Sequence, residues 1–282
     1  MGSEVAIVTD STAYLPPGCL AERHRITVVP LRLAIGGDVR DEDETTTAEA
    51  ALAVKDWRPV TTSRPAPERF AHAFKAAAGA GASAVVSVHL SAAMSGTAEA
   101  ARLAAEDAPV PVHIVDTGTI GLGLGFAALS AAAAALRGAA APEVAAAAER
   151  RAELSRSLFY VDTLEHLRRG GRIGAAATLL GSALMVKPLL GIDGGRIVPV
   201  EKVRTSSRAL ARLEEIAVGE AGDRPVDLGV QHLAAPARAQ TLARHLRERI
   251  PRVADVHVGE VGPVIGAHVG PGMLGVVVAP HL

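Results

Sequence analysis

The sequence predicts an α/β protein of two domains. The first, residues 1–154, is read as a doubly wound parallel sheet, and the second, residues 155–282, as an α/β domain with a mixed sheet. Three observations lead there. In the first half, short continuous apolar runs alternate with Ala-rich helical segments, the order of a parallel sheet covered on both faces. Beyond residue 155 a hairpin signal and differently spaced strands replace that alternation. Apolar residues make up 49% of the chain and aromatics only 2%, so the core must be built from Val, Leu, Ile and Ala.

Val5-Ala6-Ile7-Val8 is a β-prone run of the kind buried on both faces, and residues 26–33 form a second. Thr46-Thr47-Ala48-Glu49 has the spacing of a capping box opening a short helix. Pro67-Glu68 suits the first turn of another, running through Phe70 and Phe74. A third strand is expected at 84–88, a loop at 91–97, a helix at 98–106 and a fourth strand at 112–115 ending on Asp116-Thr117. The apolar stretch 121–136 is mostly Ala and Gly and ends at Arg137, which reads as a buried helix and not a membrane span. In the second half, helices are expected at 164–171 and 175–190. A hairpin follows at 192–198 around Asp193-Gly194-Gly195, then a helix at 206–218. The chain then reads strand (227–231), helix (236–249) and strands at 253–258 and 274–278.

Composition narrows the function. Lys plus Arg is 29 against 30 for Asp plus Glu, so no global field draws the chain to nucleic acid or to an anionic membrane. The single cysteine, Cys19, permits no internal disulfide and suits a reducing compartment. The N-terminal apolar run is too short for a secretory signal, and Ala6 breaks a myristoylation pattern, so a cytoplasmic location is expected. Ala93-Met94-Ser95-Gly96-Thr97 lacks the first Gly of a hydrolase elbow. There is no Walker lysine, His-Glu-x-x-His or Cys cluster, and Gly121-Leu122-Gly123-Leu124-Gly125 matches a dinucleotide loop only loosely. Neither a metal nor an organic cofactor is expected.

Ligands of a doubly wound sheet bind at the carboxyl ends of its strands. Thr9-Asp10-Ser11-Thr12, the loop from Ser91 through Gly96 to Thr97, and Asp116-Thr117-Gly118 fall there, and Thr61-Thr62-Ser63 is expected on the same edge. Hydroxyls and free N–H groups at helix starts suit an anion; each Ser or Thr taken alone reads first as a helix cap, and it is the set of four on one edge that points to a ligand. Arg168, Arg169 and Arg172 stand beside glycines, and a guanidinium can grip a carboxylate with two bonds. His268 sits in the densest Gly/Pro loop, Gly266-Ala267-His268-Val269-Gly270-Pro271-Gly272, where it can donate to an anion.

These segments resemble the DegV family of fatty-acid-binding proteins over nearly the whole chain. The resemblance is carried by Val8-Thr9-Asp10-Ser11-Thr12, Thr61-Thr62-Ser63-Arg64-Pro65, Leu90-Ser91-Ala92-Ala93-Met94-Ser95-Gly96-Thr97 and Val115-Asp116-Thr117. It continues through Leu167-Arg168-Arg169-Gly170-Gly171-Arg172-Ile173, Lys187-Pro188-Leu189-Leu190, Val203-Arg204-Thr205 and the loop around His268. It implies a long-chain fatty acid such as palmitate, buried in a tunnel between the domains, with residues 155–282 contributing the tunnel. It implies that Thr62 and Ser95 hold the carboxylate with Arg172 and His268 nearby, while Asp10, Ser11, Ser63, Gly96, Thr97 and Asp116 support the loops. The partner it implies is a fatty acid kinase subunit that makes an acyl phosphate for phospholipid synthesis, with transient membrane contact and no nucleic acid. The chain would then be a carrier and not an enzyme. The rival reading is a serine-dependent esterase or acyltransferase using Ser95 and His268. The chain departs from the family in Arg64, in Ala66 where a capping Ser is usual, and in Ala92-Ala93. The tunnel is expected to draw on the Ala-rich helices and on residues 179–190.

Overall fold

Four parallel strands organise the first half of the computed structural model, which describes residues 4–15, 26–179 and 187–281. With elements numbered along the whole chain, they are β1 (Val5–Asp10), β2 (Ile26–Val29), β6 (Ala84–His89) and β7 (Val112–Asp116). Their order is β2-β1-β6-β7, every pair parallel. The continuous apolar runs exist because both faces are covered. Val8 and Val85 meet helices α2 (Pro67–Gly79) and α3 (Thr97–Ala105), where Phe70 and Phe74 pack against Ala100, Ala101 and Ala104. On the other face Ile7, Val86 and Val88 meet α4 (Leu122–Leu136) and α5 (Ala141–Leu154). A Cβ at Gly125 of α4 would lie 2.6 Å from the Ala13 carbonyl oxygen, so the helix reaches the strand ends only because that residue is glycine.

The second half centres on a six-stranded mixed sheet. Its strands are β8 (Arg156–Tyr160), β9 (Lys187–Asp193), β10 (Arg196–Val203), β11 (Val226–His232), β12 (Val253–Glu260) and β13 (Leu274–Pro280). The order is β10-β9-β8-β13-β11-β12, with only β11 and β12 parallel. Gly194 and Gly195, both at positive φ, close the β9–β10 hairpin. Helices α7 (Ser206–Ala221) and α8 (Pro236–Arg249) bury Leu213, Leu242 and Leu246 against Leu228, Val230 and Val276. Two short helices, α6 (Glu165–Arg169) and α9 (Pro263–Val269), complete this half.

The described residues divide into two units, and the division is not the contiguous one expected. Leu33–Thr62 groups with Ser155–His281, whereas the sequence reading placed it in residues 1–154. That segment has its own sheet, β4-β3-β5, built from β3 (Arg32–Ile35), β4 (Asp38–Asp41) and β5 (Val60–Ser63). Its helix α1 (Glu44–Lys55) closes a small core of Leu33, Ile35, Ala50, Ala53 and Val60 and packs on α9. Excursions of this kind are set by packing between residues far apart in sequence, which local periodicity does not carry.

Other expectations are corrected locally. Residues 26–33 make two strands, interrupted at Pro30, which has no N–H to give a ladder. The capping box of α1 uses Asp43 and Thr46, one turn before the expected Thr46 and Glu49, because Asp43 accepts from Thr46 N at 2.9 Å. Thr61-Thr62-Ser63 lies on β5 and not among the loops of the parallel sheet. The expected helix at 175–190 is a 3-10 turn, Gly174–Leu179, and strand β9; a buried apolar run reads the same as helix or strand. Residues 180–186 and Cys19 lie outside the described residues; Leu179, Leu189 and Leu190 are buried. Ala66 caps α2 without a side-chain bond, consistent with the missing Ser. No helix among the described residues is long and apolar enough to cross a membrane.

Leu228→Ala is expected to cost about 2–5 kcal/mol, since its side chain is fully buried in the second core. Leu52→Ala, on the exposed side of α1, should stay within about 0.5 kcal/mol. Guanidinium midpoints of the two variants test this placement of the core.

Candidate functional site

The hydroxyl-bearing loops of the first unit emerge where β1, β6 and β7 end. Asp10 closes β1 and is fully buried, with Oδ1 accepting from Thr12 N and Oδ2 from Leu90 N at 3.0 Å. Leu90 opens the loop that carries Ser95. Within it the Ser91 carbonyl accepts from Met94 N at 3.0 Å and Ser95 N at 3.1 Å, and Ser91 N donates to Thr119 O at 2.8 Å. The half-buried Ser95 hydroxyl meets Thr97 Oγ1 at 2.8 Å. Asp116 Oδ1 ties the neighbouring loops by accepting from Ala92 N and Gly118 N, and Ser11 Oγ accepts from Leu31 N. Arg64 lies across Gly96, with Nη1 3.4 Å from the Gly96 carbonyl; a Cβ there would come within 2.8 Å of Nη1. Ser63 is exposed at the end of β5.

In the second unit, Thr62, His268 and Arg172 converge. His268 occupies the last turn of α9, a helix where the sequence suggested a loop. The helix is held at its start by buried Glu42, whose Oε1 accepts from Val264 N at 2.9 Å, and along its length by α1 and α6. His268 Nε2 then meets Thr62 Oγ1 at 2.9 Å. Its Nδ1 is buried with no partner among the described residues. Gly170 makes this possible: any Cβ there would overlap the imidazole. Arg172 folds back to donate to the Gly170 carbonyl at 2.8 Å. Burial, and then the nearby Arg172 guanidinium, push the His268 pKa down to about 4, so the ring is neutral at physiological pH.

These residues line a pocket of about 410 Å³. Arg58, Arg169 and Arg172 contribute to its wall, together with Trp57, His166, Thr61 and Ala267, and among the described residues no acidic side chain does. Trp57 takes a positive φ and stacks on His166 with centroids 4.5 Å apart; the Arg169 guanidinium sits 4.5 Å from the same indole. Gly270, at positive φ, leaves the room His166 needs. Arg168 and Arg169 both bind Glu165, and those hydrogen bonds hold its carboxyl down at about 2. A neutral imidazole, a threonine hydroxyl and an excess of guanidinium charge suit a small anion attached to an apolar body.

The family model described as "Uncharacterised protein, DegV family" matches residues 4–281. The chain belongs to the DegV family. A DegV domain-containing protein of Streptomyces coelicolor is 59% identical over 280 residues, covering 99% of both chains. One from Mycobacterium tuberculosis is 39% identical and covers 97% of this chain and 96% of its own. Among solved structures, a DegV family protein from Thermus thermophilus, described as binding fatty acid, has a TM-score of 0.93 at 32% identity. That match covers 99% of this chain and 100% of the other. DegV from Bacillus subtilis, described as a fatty acid binding protein, has a TM-score of 0.89, also at 32% identity and with the same coverage.

Of the residues singled out from the DegV motifs, Thr62, Arg172 and His268 come together in one unit. Ser95, Thr97, Asp10, Ser11, Gly96 and Asp116 lie in the other, along one edge of its sheet. The sequence reading missed Glu42, Trp57 and His166, and the pair Ser87 and His89 on β6. Glu42 was hidden in the acidic run Asp41-Glu42-Asp43-Glu44, which looks like a solvated loop. Ser87 and His89 did carry a signal, two polar residues at i, i+2 on one face of an otherwise apolar strand.

Because unfolded histidine titrates near 6.5 and folded His268 near 4, the unfolded chain binds more protons between those values. The stability from neutral His268 should be present above pH 6.5 and lost as pH falls through 4, on the order of 3 kcal/mol. His166 and His232, both lowered by burial, act in the same direction. NMR titration of the imidazoles should show His268 still neutral at pH 5, with its pKa rising in Arg172→Ala. Gly170→Ala should displace the ring and break the Thr62–His268 hydrogen bond, seen as a shifted His268 resonance.

Proposed function

We propose that this protein binds a long-chain fatty acid in a buried apolar tunnel and presents its carboxylate to a fatty acid kinase. The kinase would form an acyl phosphate for phospholipid synthesis. The observation that carries the reading is the likeness, across 99% of the chain, to two DegV structures described as fatty acid binding. We assign Thr62, Ser95, Arg172 and His268 to the carboxylate. The Thr62–His268 bond supports this, because a neutral histidine and a hydroxyl offer donors to an anion without a fixed charge pair to break. The tail supplies the affinity. At about 0.8 kcal/mol per buried methylene, a sixteen-carbon chain contributes on the order of 10 kcal/mol before ordering costs. The single cysteine fits a cytoplasmic site of action.

A carrier is favoured over a serine hydrolase by the partners of the two candidate groups. The Ser95 hydroxyl is engaged by Thr97 and the His268 Nε2 by Thr62, which supports the carrier reading.

Native mass spectrometry of the protein purified from bacteria should find a fatty acid bound at one per chain. Thr62→Ala and Ser95→Ala should each weaken palmitate binding about tenfold, the value of one hydrogen bond to a charged group. Acyl phosphate formation with an added kinase subunit and ATP should fall in parallel. Turnover of a chromogenic acyl ester, or covalent labelling of Ser95 by a serine-directed probe, would instead establish the hydrolase.

A further inference from the structure

We propose that Asp10 is a positioning residue for Ser95: a buried carboxylate that sets, through Leu90 and His89, the point at which the Ser95 loop leaves the sheet. The inference rests on the reading that Ser95 binds the fatty-acid carboxylate.

The last backbone pair of the β1–β6 ladder is Thr9 with Val88. Beyond it, the Asp10 side chain takes over the pairing. Its Oδ1 accepts from the amide and hydroxyl of Thr12, and its Oδ2 from Leu90 N at 3.0 Å and His89 Nδ1 at 3.1 Å. The carboxylate is an acceptor only, so Nδ1 is the donor and Nε2 is left facing Ser87 Oγ at 2.7 Å. The imidazole makes a T-shaped contact with Phe70, 5.0 Å between centroids. Asp10, Ser87 and His89 are all at 0% exposure.

Serine, histidine and aspartate in this order have the connectivity of a hydrolytic triad. A nucleophile with no exposure reaches no substrate, so the trio does no chemistry. Nor is stability a sufficient reason for it, since a strand between two apolar layers is held equally well by apolar side chains. What an apolar residue cannot do is accept Leu90 N and thereby orient the loop that follows. From Leu90 the constraint passes to Ser91, whose carbonyl accepts Ser95 N, and the His89 carbonyl accepts both N and Oγ1 of Thr117 at the adjoining strand end. The Ser95 hydroxyl is therefore five residues from a fixed point and tied to it by backbone hydrogen bonds.

A double-mutant cycle tests this. Asn at position 10 must turn its NH2 toward donors on one side, so Asp10→Asn loosens the loop while keeping the volume. Palmitate affinity should fall about tenfold in Asp10→Asn, as in Ser95→Ala, and the double variant should fall no further than either alone. With Thr62→Ala, by contrast, the Asp10→Asn loss should multiply. Hydrogen exchange should accelerate at amides 90–95 and stay unchanged in β11. His89→Gln, which removes only one of the four donors, should show the same non-additivity in milder form and serves if Asp10→Asn does not fold. Losses that multiply with Ser95→Ala, or unchanged affinity in both Asp10→Asn and His89→Gln, overturn the proposal. If instead Ser95→Ala and Thr62→Ala leave affinity unchanged, the carboxylate assignment itself has failed, and that outcome is distinct from the other two.

Discussion

A buried polar side chain must find its partner inside the protein, and both units are organised by that constraint. Asp10 stands at the end of β1, where the helices on both faces have already excluded water. It is matched by four donors, two from Thr12 just after its own strand and two from His89 and Leu90 at the end of β6. In the second unit Glu42 and His268 play corresponding parts. Glu42 accepts the first free amide of α9, and His268, at the other end of the same helix, meets Thr62. Leaving any of these groups unmatched would cost about 1–3 kcal/mol, so the loops are held where the matches are made.

The polar groups approach one another this closely because small residues surround them. Alanine helices α4 and α5 lie near the parallel sheet, and Gly125 lets one of them touch the Ala13 carbonyl. Gly170 and Gly270 leave space for the His268 and His166 rings. Of the few aromatic residues, Phe70 and Phe74 wedge one core and Phe70 braces His89, while the partly exposed Trp57 forms part of the wall of the cationic pocket. The same economy lowers the His268 pKa. A ring enclosed by backbone and facing a guanidinium has no counter-charge to favour its protonated form.

Much of the fold was legible because it is local. The runs at β1, β6 and β7, the Pro start of α2 and the Asp-Gly-Gly hairpin each state their own conformation through backbone preference and side-chain period. The motif residues Thr62, Ser95, Arg172 and His268 were legible as types, each able to hold an anion. Their surroundings were not. His268 reads as a loop residue because four glycines and prolines flank it, yet Pro263 at a helix start and the Glu42 cap make that segment a helix. Residues 188–190 read as the end of a helix because an apolar run does not reveal its period when every position is buried.

The sequence by itself determined the class of the fold, the parallel character of its first sheet and the polar residues available at the strand ends. Only the tertiary structure decided that Leu33–Thr62 packs with the second half of the chain, and so carries Thr62 to His268. Only the tertiary structure, likewise, joined Asp10 to Leu90 across 80 positions. The physical reason is the same in both cases. Periodicity and turn chemistry act over a few residues, whereas the partner of a buried polar group is chosen by which distant segment the cores bring within hydrogen-bond reach. The neutral histidine held against a threonine, in a pocket walled by arginines, depends on the same long-range choices.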